Sequence, residues 1–280
     1  MNNKFKFIPQ LRSLPIYQVD AFADHLFGGN PAAVIPLPDF PSDQLMQAIA
    51  TENNLSETAF VVVIGEGIFR IRWFTPTTEV RLCGHATLAA AHVLHQISGG
   101  AIDQMRFKTK DAGTLSVRAL GEDKYQLTFP SDPPRKVRPP KGLLNVLGIK
   151  KYDGVYRGKD DLLVVLKSQK QVDNLNVDFR AMAKLTQYRG VLVTAPGRKH
   201  DFVSRGFFPQ TGIDEDPVTG SAHTLLTPYW SSRLGRNKLT ARQISARGGE
   251  LLCQLKGKKV RLTGQAVSYL SGQISLPVEF

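Results

Sequence analysis

Short apolar runs separated by turn residues dominate the chain and predict β-strands. These runs are rich in Val, Ile and aromatic side chains, and polar or glycine-containing segments bound them. The predicted strands are 16–22, 32–37, 59–64, 69–74, 105–118, 125–129, 162–166, 190–194, 202–207, 260–263 and 273–277. The pattern therefore predicts a strand-rich protein with a few helices between the strands.

Four segments have helical spacing instead. Residues 42–53 open with Ser42, a good N-cap, and 178–185 form a shorter candidate. Residues 85–97 are apolar almost all round, which is typical of a buried helix rather than a surface one. A second apolar helix is predicted at 221–234, where Pro228 predicts a kink or a late start.

A proline-rich, basic connector at 131–139 divides the chain into two halves with similar landmarks. In the first half, Arg-x-Phe-x-Pro at 72–76 precedes Gly84 and a buried helix; in the second, the same pattern at 205–209 precedes Gly220 and the other buried helix. This weak repeat predicts similar halves at 14–130 and 140–264 that face each other across a cleft. We expect residues 265–280 to return to the first half.

The net charge and the apolar runs restrict the kinds of ligand and location that we expect for the protein. The formal net charge is +12, from 36 Lys and Arg against 24 Asp and Glu. A basic solvated surface explains this charge, and so does attraction of small anions to a cleft. The basic residues are scattered without a nucleic-acid-binding motif, and no apolar run is long enough for a membrane span.

Only two cysteines occur, Cys83 and Cys253, which is too few for a secreted disulfide scaffold. We therefore expect a cytoplasmic protein. The sequence has no cluster with the spacing of a zinc site, so we expect no metal.

The acidic stretch before the second buried helix is the main candidate for chemistry. Gly220 and Ser221 open the predicted helix, and a helix start with unpaired N–H groups binds anions such as carboxylates. Gly84 precedes the first buried helix in the same way. Asp214 and Glu215 are interpreted as residues that balance the helix dipole, whereas Asp216 either does the same or contacts a substrate.

Five motifs together resemble the PhzF-like family, the relatives of the phenazine-biosynthesis isomerase within the diaminopimelate-epimerase-like fold. They are YQVDAF at 17–22, FGGNPAAV at 27–34, SETAF at 56–60, CGHAT at 83–87 and EDPVTGSA at 215–222. The resemblance covers about residues 14–278. It implies an α+β fold of two pseudo-symmetric domains, each a curved, mostly antiparallel sheet around a central helix. It also implies no cofactor and no metal, and it is compatible with a homodimer.

The resemblance also implies roles for individual residues. Glu57 matches the glutamate that shuttles a proton on the substrate, and His85 and Asp216 match its partners. Gly84, Gly220 and Ser221 match the positions that hold the substrate carboxylate, and Asn30 is a polar contact.

The residues themselves allow more than one function. A carboxyl such as Glu57 can act as both base and acid in a proton transfer, but a glutamate at a strand start is also an ordinary cap. His85 alone is equally an ordinary residue at a helix start. We predict a cofactor-independent isomerase of a small carboxylate. The alternatives are a two-carboxylate epimerase using Glu57 and Asp216, and a non-catalytic binding protein.

The cysteines do not fit the two-thiol epimerases of this fold, which place one cysteine at each helix start. Cys83 precedes the first buried helix, but Asp216 stands before the second and Cys253 lies far along the chain. We predict that Cys83 packs as a small buried apolar residue.

Overall fold

The structure is a computed structural model that describes residues 11–277, with side chains for residues 13–276. Within these residues, the strands are β1 (Leu11–Ala21), β2 (Asn30–Leu37), β3 (Glu57–Gly65), β4 (Ile68–Phe74), β5 (Glu79–Val80), β6 (Gln104–Lys108), β7 (Thr114–Ala119), β8 (Lys124–Pro130), β9 (Arg135–Val137), β10 (Gly154–Arg157), β11 (Asp161–Val165), β12 (Gly190–Pro196), β13 (Phe202–Phe208), β14 (Ile213–Asp216), β15 (Lys238–Gln243), β16 (Gly249–Lys256) and β17 (Lys259–Pro277). The α-helices are α1 (Asp43–Asn53), α2 (Gly84–Ile97), α3 (Leu143–Val146), α4 (Gln169–Asp173), α5 (Phe179–Met182) and α6 (His223–Leu234). The protein is therefore an α+β fold in which strands predominate.

The strands pair in a mixed sheet. In the first half, β2 runs parallel to β3, β3 antiparallel to β4, and β4 antiparallel to β5 and parallel to β6. In the second half, β11 runs parallel to β12, β12 antiparallel to β13, and β13 antiparallel to β14 and parallel to β15. The same order of parallel and antiparallel pairings thus occurs twice along the chain.

The long strand β17 joins the two sets. It pairs with β16 through residues 259–263, with β8 through residues 259–265, and with β1 through residues 266–277. Residues 278–280 of the predicted returning segment lie outside the described residues. The predicted linker is not irregular throughout, because β9 lies within it and pairs with β10.

The two apolar helices lie in the core, as their composition predicts. Every residue of α2 from Gly84 to Leu94 is buried, and α2 packs against β1, β2 and β8. The buried side chains of α6, including Leu225, Leu226 and Trp230, belong to the same apolar cluster as α2. The starts of both helices are therefore held by one continuous core.

Several predicted boundaries are wrong. The segment 105–118 is two strands, β6 and β7, because residues 109–113 form a turn in which Gly113 has φ +76°. The segments 260–263 and 273–277 are parts of one strand, β17, and the helix predicted at 178–185 is only the four-residue α5.

The helix predicted from residue 221 begins at His223 and continues through Pro228. Proline has no N–H to donate to the carbonyl four residues earlier, which is that of Thr224. The backbone N–H of Asp132 in the connector donates to that oxygen at 3.0 Å. The connector thus satisfies the carbonyl that Pro228 leaves free, and the helix does not end there.

The cap of α1 yields a stability prediction. Ser42 Oγ accepts a hydrogen bond from the backbone N–H of Leu45 at 3.2 Å, so Ser42→Ala should lower the free energy of unfolding by about 1 kcal/mol, measured by urea denaturation. Ser42→Asn should keep most of the stability. Ser168 stands at the N-cap of α4 but makes no capping bond, so Ser168→Ala is the matched control. Equal losses at both serines would contradict this assignment.

Candidate active site

Two parallel strands bring Asn30 and Glu57 to the same edge of the sheet. Asn30 is the first residue of β2 and Glu57 the first residue of β3, and the parallel register places Ala32 opposite Glu57. The chain enters β3 from α1 through Asn54, whose left-handed conformation (φ 49°) ends the helix. Both side chains therefore lie where strands of the first half begin.

Glu57 lies directly against His85, the second residue of α2. The Oε2 atom of Glu57 is 3.0 Å from Nε2 of His85, and both residues are buried, at 9% and 4% exposure. No hydrogen bond with good geometry reaches Glu57 Oε2 from residues 13–276. Apart from the imidazole of His85, this buried oxygen has no partner among residues 13–276, so His85 is the group that must offset the cost of burying it.

The side-chain amide of Asn30 connects this pair to the second half. Its Nδ2 atom donates to Oδ1 of Asp216 at 2.6 Å and to the carbonyl of Val218 at 3.0 Å, and it lies 3.1 Å from Nδ1 of His85. Asn30 is fully buried. The three side chains of Asn30, His85 and Asp216 thus form one contiguous group, although they lie far apart in sequence.

Asp216 is held at both carboxylate oxygens. Oδ1 accepts from Asn30, and Oδ2 accepts from the hydroxyl of Thr219 at 2.6 Å. Burial raises the pKa of Asp216 to about 6; the charge of His85 and the two hydrogen bonds oppose this rise, whereas the charge of Glu57 adds to it. Asp216 is therefore a firmly oriented carboxyl that titrates near neutrality.

Gln243, the last residue of β15, supports this loop and has no signal in the sequence. Its Nε2 donates to the backbone carbonyl of Asp216 at 2.8 Å and lies 3.1 Å from the hydroxyl of Thr219. Its Oε1 accepts from the backbone N–H of Thr219 at 2.9 Å. Thr219 lies inside the EDPVTGSA motif, so its position could have been found from the sequence, but Gln243 becomes its neighbour only in the folded chain.

The two predicted helix starts touch each other. A Cβ atom added to Gly84 would lie 3.4 Å from Cα of Gly220, so the backbones meet where each chain segment enters its helix. Gly84 is the first residue of α2, whereas Gly220 and Ser221 form the turn that precedes α6. Ser221 Oγ accepts from Nη2 of Arg189 at 3.1 Å.

The acidic stretch serves more than one purpose. Glu215 does not balance the helix dipole as predicted, because Arg205 binds both of its carboxylate oxygens at 2.8 and 2.7 Å. Arg72 binds Glu79 in the same way in the first half, at 2.7 and 2.8 Å. The arginines of the two Arg-x-Phe-x-Pro segments therefore each anchor the short strand that follows. Asp214 is exposed.

Cys83 is buried, as predicted, but it also contacts the site. Its sulfur lies 3.6 Å from Nδ1 of His85, and burial raises the pKa of the thiol to about 11. Cys253 is buried in β16, and burial raises its pKa to about 12. Both are therefore protonated thiols at neutral pH, which does not suit a pair of thiol acid–base groups.

Three side chains of this site have the chemistry of metal ligands. Atoms of Glu57, Cys83 and His85 lie within 4.8 Å of one another, which the sequence spacing did not predict. A metal held by all three groups would require Cys83 as a thiolate.

Comparisons with known proteins agree on the family. The model of the phenazine biosynthesis-like protein family matches residues 19–272. The chain belongs to this family. A Pseudomonas aeruginosa protein named as an uncharacterized isomerase is 51% identical over 263 residues, which cover 94% of this chain and 99% of that protein. The predicted resemblance is confirmed.

Solved structures support the fold. The crystal structure of a PhzF family protein from Enterococcus faecalis has a TM-score of 0.89 and 44% sequence identity, and the match covers 94% of this chain and 99% of that one. A hydroxyproline epimerase from Agrobacterium vitis has a TM-score of 0.65 at 10% identity, covering 97% of this chain and 95% of that one. This family member therefore has an epimerase-like α+β fold. The similar protein from Pseudomonas aeruginosa is named as an isomerase. None of the helices within residues 11–277 has the length and apolar character needed to cross a membrane.

The contact between Glu57 and His85 yields a prediction that needs no substrate. Burial opposes protonation of His85, but its contacts with Cys83 and Glu57 outweigh burial and raise the pKa of His85 well above the ordinary value of 6.5. Of these contacts, the one with Glu57 brings a carboxylate oxygen to 3.0 Å from Nε2 of His85. Glu57→Gln removes this carboxylate while burial still opposes protonation, so the pKa of His85 should fall and the ring should be neutral at pH 7.

Imidazole ¹⁵N chemical shifts measure this change directly. The wild-type family member should show a doubly protonated His85 at pH 7, assigned with a His85→Gln sample, and Glu57→Gln should not. His223 is an internal reference, because burial lowers its pKa to about 4 and it should be neutral in both. A raised pKa stabilises the fold fully below about pH 6.5, and this contribution disappears as the pH rises through the folded-state pKa. A His85 that is neutral in the wild type would contradict the prediction.

Proposed function

We propose that this family member is a cofactor-independent isomerase that moves a proton on a small carboxylate substrate, with Glu57 as the group that removes and returns the proton. The observation that carries the proposal is the contrast between the two buried carboxyls. Glu57 directs its buried Oε2 at the imidazole of His85, and its Oε1 accepts no hydrogen bond from residues 13–276, whereas both oxygens of Asp216 accept short bonds. A base needs a free lone pair that can reach a C–H group, and Glu57 has one.

The step is balanced without a redox partner. The carboxylate of Glu57 takes a proton from one carbon of the substrate and becomes a carboxylic acid, and it then gives that proton to another carbon. His85, 3.0 Å from Glu57, orients the carboxylate. Asp216 and Asn30 orient the substrate, and Gly84, Gly220 and Ser221 bind its carboxylate at the meeting helix starts.

We also propose that the chain is two similar domains, 14–130 and 140–264, with the site between them. The order of strand pairings that occurs twice and the matched pairs Arg72–Glu79 and Arg205–Glu215 support this. The cytoplasmic location and the homodimer stay predictions.

The second candidate function is an epimerase in which Glu57 and Asp216 are the opposed acid and base. The pKa of about 6 for Asp216 favours it, because such a carboxyl can exchange protons near neutral pH. The hydrogen bonds to both oxygens of Asp216 argue against it, since they hold the carboxyl in place and lower its basicity.

Substitution of the two carboxyls separates the candidates. A panel of small carboxylates in D₂O, followed by NMR, should reveal a substrate whose double bond or functional group shifts, with deuterium at the new C–H position only where the protonated Glu57 exchanges with solvent before it returns the proton. For this substrate, Glu57→Gln should lower turnover by about 10²–10⁴-fold, the usual contribution of a general acid–base group. Asp216→Asn should lower it less.

Two other results would contradict the proposed mechanism. Deuterium at a chiral centre with inversion, and equal losses at both positions, would support the epimerase. Near-normal turnover by Glu57→Gln would refute the mechanism. Ser42→Asn, remote from the site, is the control for handling and expression.

A further inference from the structure

The contact between Arg189 and Ser221 has a counterpart on the other side of the site. Glu57 opens β3, a strand parallel to its neighbour, and touches His85 just after Gly84. Arg189 immediately precedes β12, also a strand parallel to its neighbour, and touches Ser221 just after Gly220. Gly84 and Gly220 are themselves in contact, so the two pairs flank one point.

Hydrogen-bond chemistry fixes the role of the Ser221 hydroxyl. A guanidinium has only donors, so Ser221 Oγ must be the acceptor in its 3.1 Å contact with Arg189. The hydroxyl hydrogen of Ser221 is then left to donate elsewhere. Within residues 13–276 no other hydrogen bond of Ser221 Oγ is found, and the residue is only partly buried.

The charge of Arg189 is already balanced behind the serine. Its Nε donates to Oδ1 of Asp161 at 3.0 Å, and its Nη2 donates to the other oxygen of that buried carboxylate. Asp160 lies nearby as well. The carboxylate of Asp161 therefore fixes the guanidinium of Arg189 in place. Because this carboxylate balances its charge, Arg189 does not attract an anion by charge alone.

From these contacts we infer that Arg189, anchored by Asp161, is a positioning residue that keeps Ser221 Oγ as an acceptor and turns its hydroxyl hydrogen toward the carboxylate of the substrate. The inference rests on the proposed function in taking a carboxylate as the ligand. In this arrangement, one half of the chain supplies the proton-transfer group and the other half, at the matching position, supplies the donor that recognises the anion.

Binding of benzoate, with benzamide as its uncharged analogue, tests the inference without turnover. Calorimetry gives the affinity, and the backbone amide shifts of Gly220 and Ser221 report the place of binding. Ser221→Ala should weaken benzoate binding about tenfold or more, because a hydrogen bond to a charged group is worth about 1.5–3 kcal/mol. Benzamide should not distinguish the variant from the wild type.

The role of Arg189 is tested with its partner changed as well. Arg189→Gln alone leaves the Asp161 carboxylate buried without a partner and endangers folding, so the informative variant is Arg189→Gln with Asp161→Asn. It should weaken benzoate binding about as much as Ser221→Ala. Adding Ser221→Ala to it should cause little further loss, because residues that act through one another are not additive. Arg180→Gln, an exposed arginine in α5, is the matched control.

Each other outcome overturns the inference. Benzoate that fails to saturate the wild type refutes carboxylate binding at Ser221, and benzoate that binds the folded double variant normally removes Arg189 from recognition. Fully additive losses would mean that Arg189 does not act through Ser221. The proton-transfer mechanism is tested separately by the turnover of Glu57→Gln, so a failed mechanism and a failed Arg189 role are distinguishable.

Discussion

The side-chain amide of Asn30 is the interaction on which the site depends. It is fully buried, and its two hydrogens face the carboxylate of Asp216 and the carbonyl of Val218, while its nitrogen lies beside His85. A buried amide with unsatisfied donors would cost free energy, so the first half of the chain and the EDPVTGSA loop must approach each other in one arrangement. The contact of Gly84 with Gly220 is the backbone side of the same constraint.

The turn that carries Asn30 is itself clamped from the second half. Arg247 donates to the carbonyls of Gly28 and Gly29 at 2.8 and 2.9 Å and to Asp20 at 2.7 Å, and Asp20 is almost fully buried. Removal of Arg247 would leave the buried carboxylate of Asp20 without its partner, which costs free energy. The pair therefore holds the turn in one position. Arg247 thus holds the backbone just before Asn30, while Asp216 and Val218 hold its side-chain amide.

The three acids before α6 lie in three different environments. Each acid meets a different need: Glu215 pairs with Arg205, Asp216 enters the site, and Asp214 stays in solvent. Only Asp216 is desolvated, and it is the acid of this stretch whose pKa burial raises. Three adjacent acids therefore differ in their chemistry, because their burial and their hydrogen-bond partners differ.

Local patterns in the sequence determined many of the strands, the two buried helices and the Ser42 cap, since these depend on the spacing of apolar residues and on one side chain near a helix start. They missed β5, β9, β10, β14, β15 and β16. The motifs also identified the family. The apolar patterns did not predict that 260–263 and 273–277 are one strand, because β17 is continuous only through its pairing with β1 and β8. Only the tertiary structure decided that Gln243 supports Asp216, that Arg189 meets Ser221, and that Cys83 lies beside His85. Those contacts join residues from separate segments, and their geometry is set by the packing of whole strands and helices rather than by any local pattern.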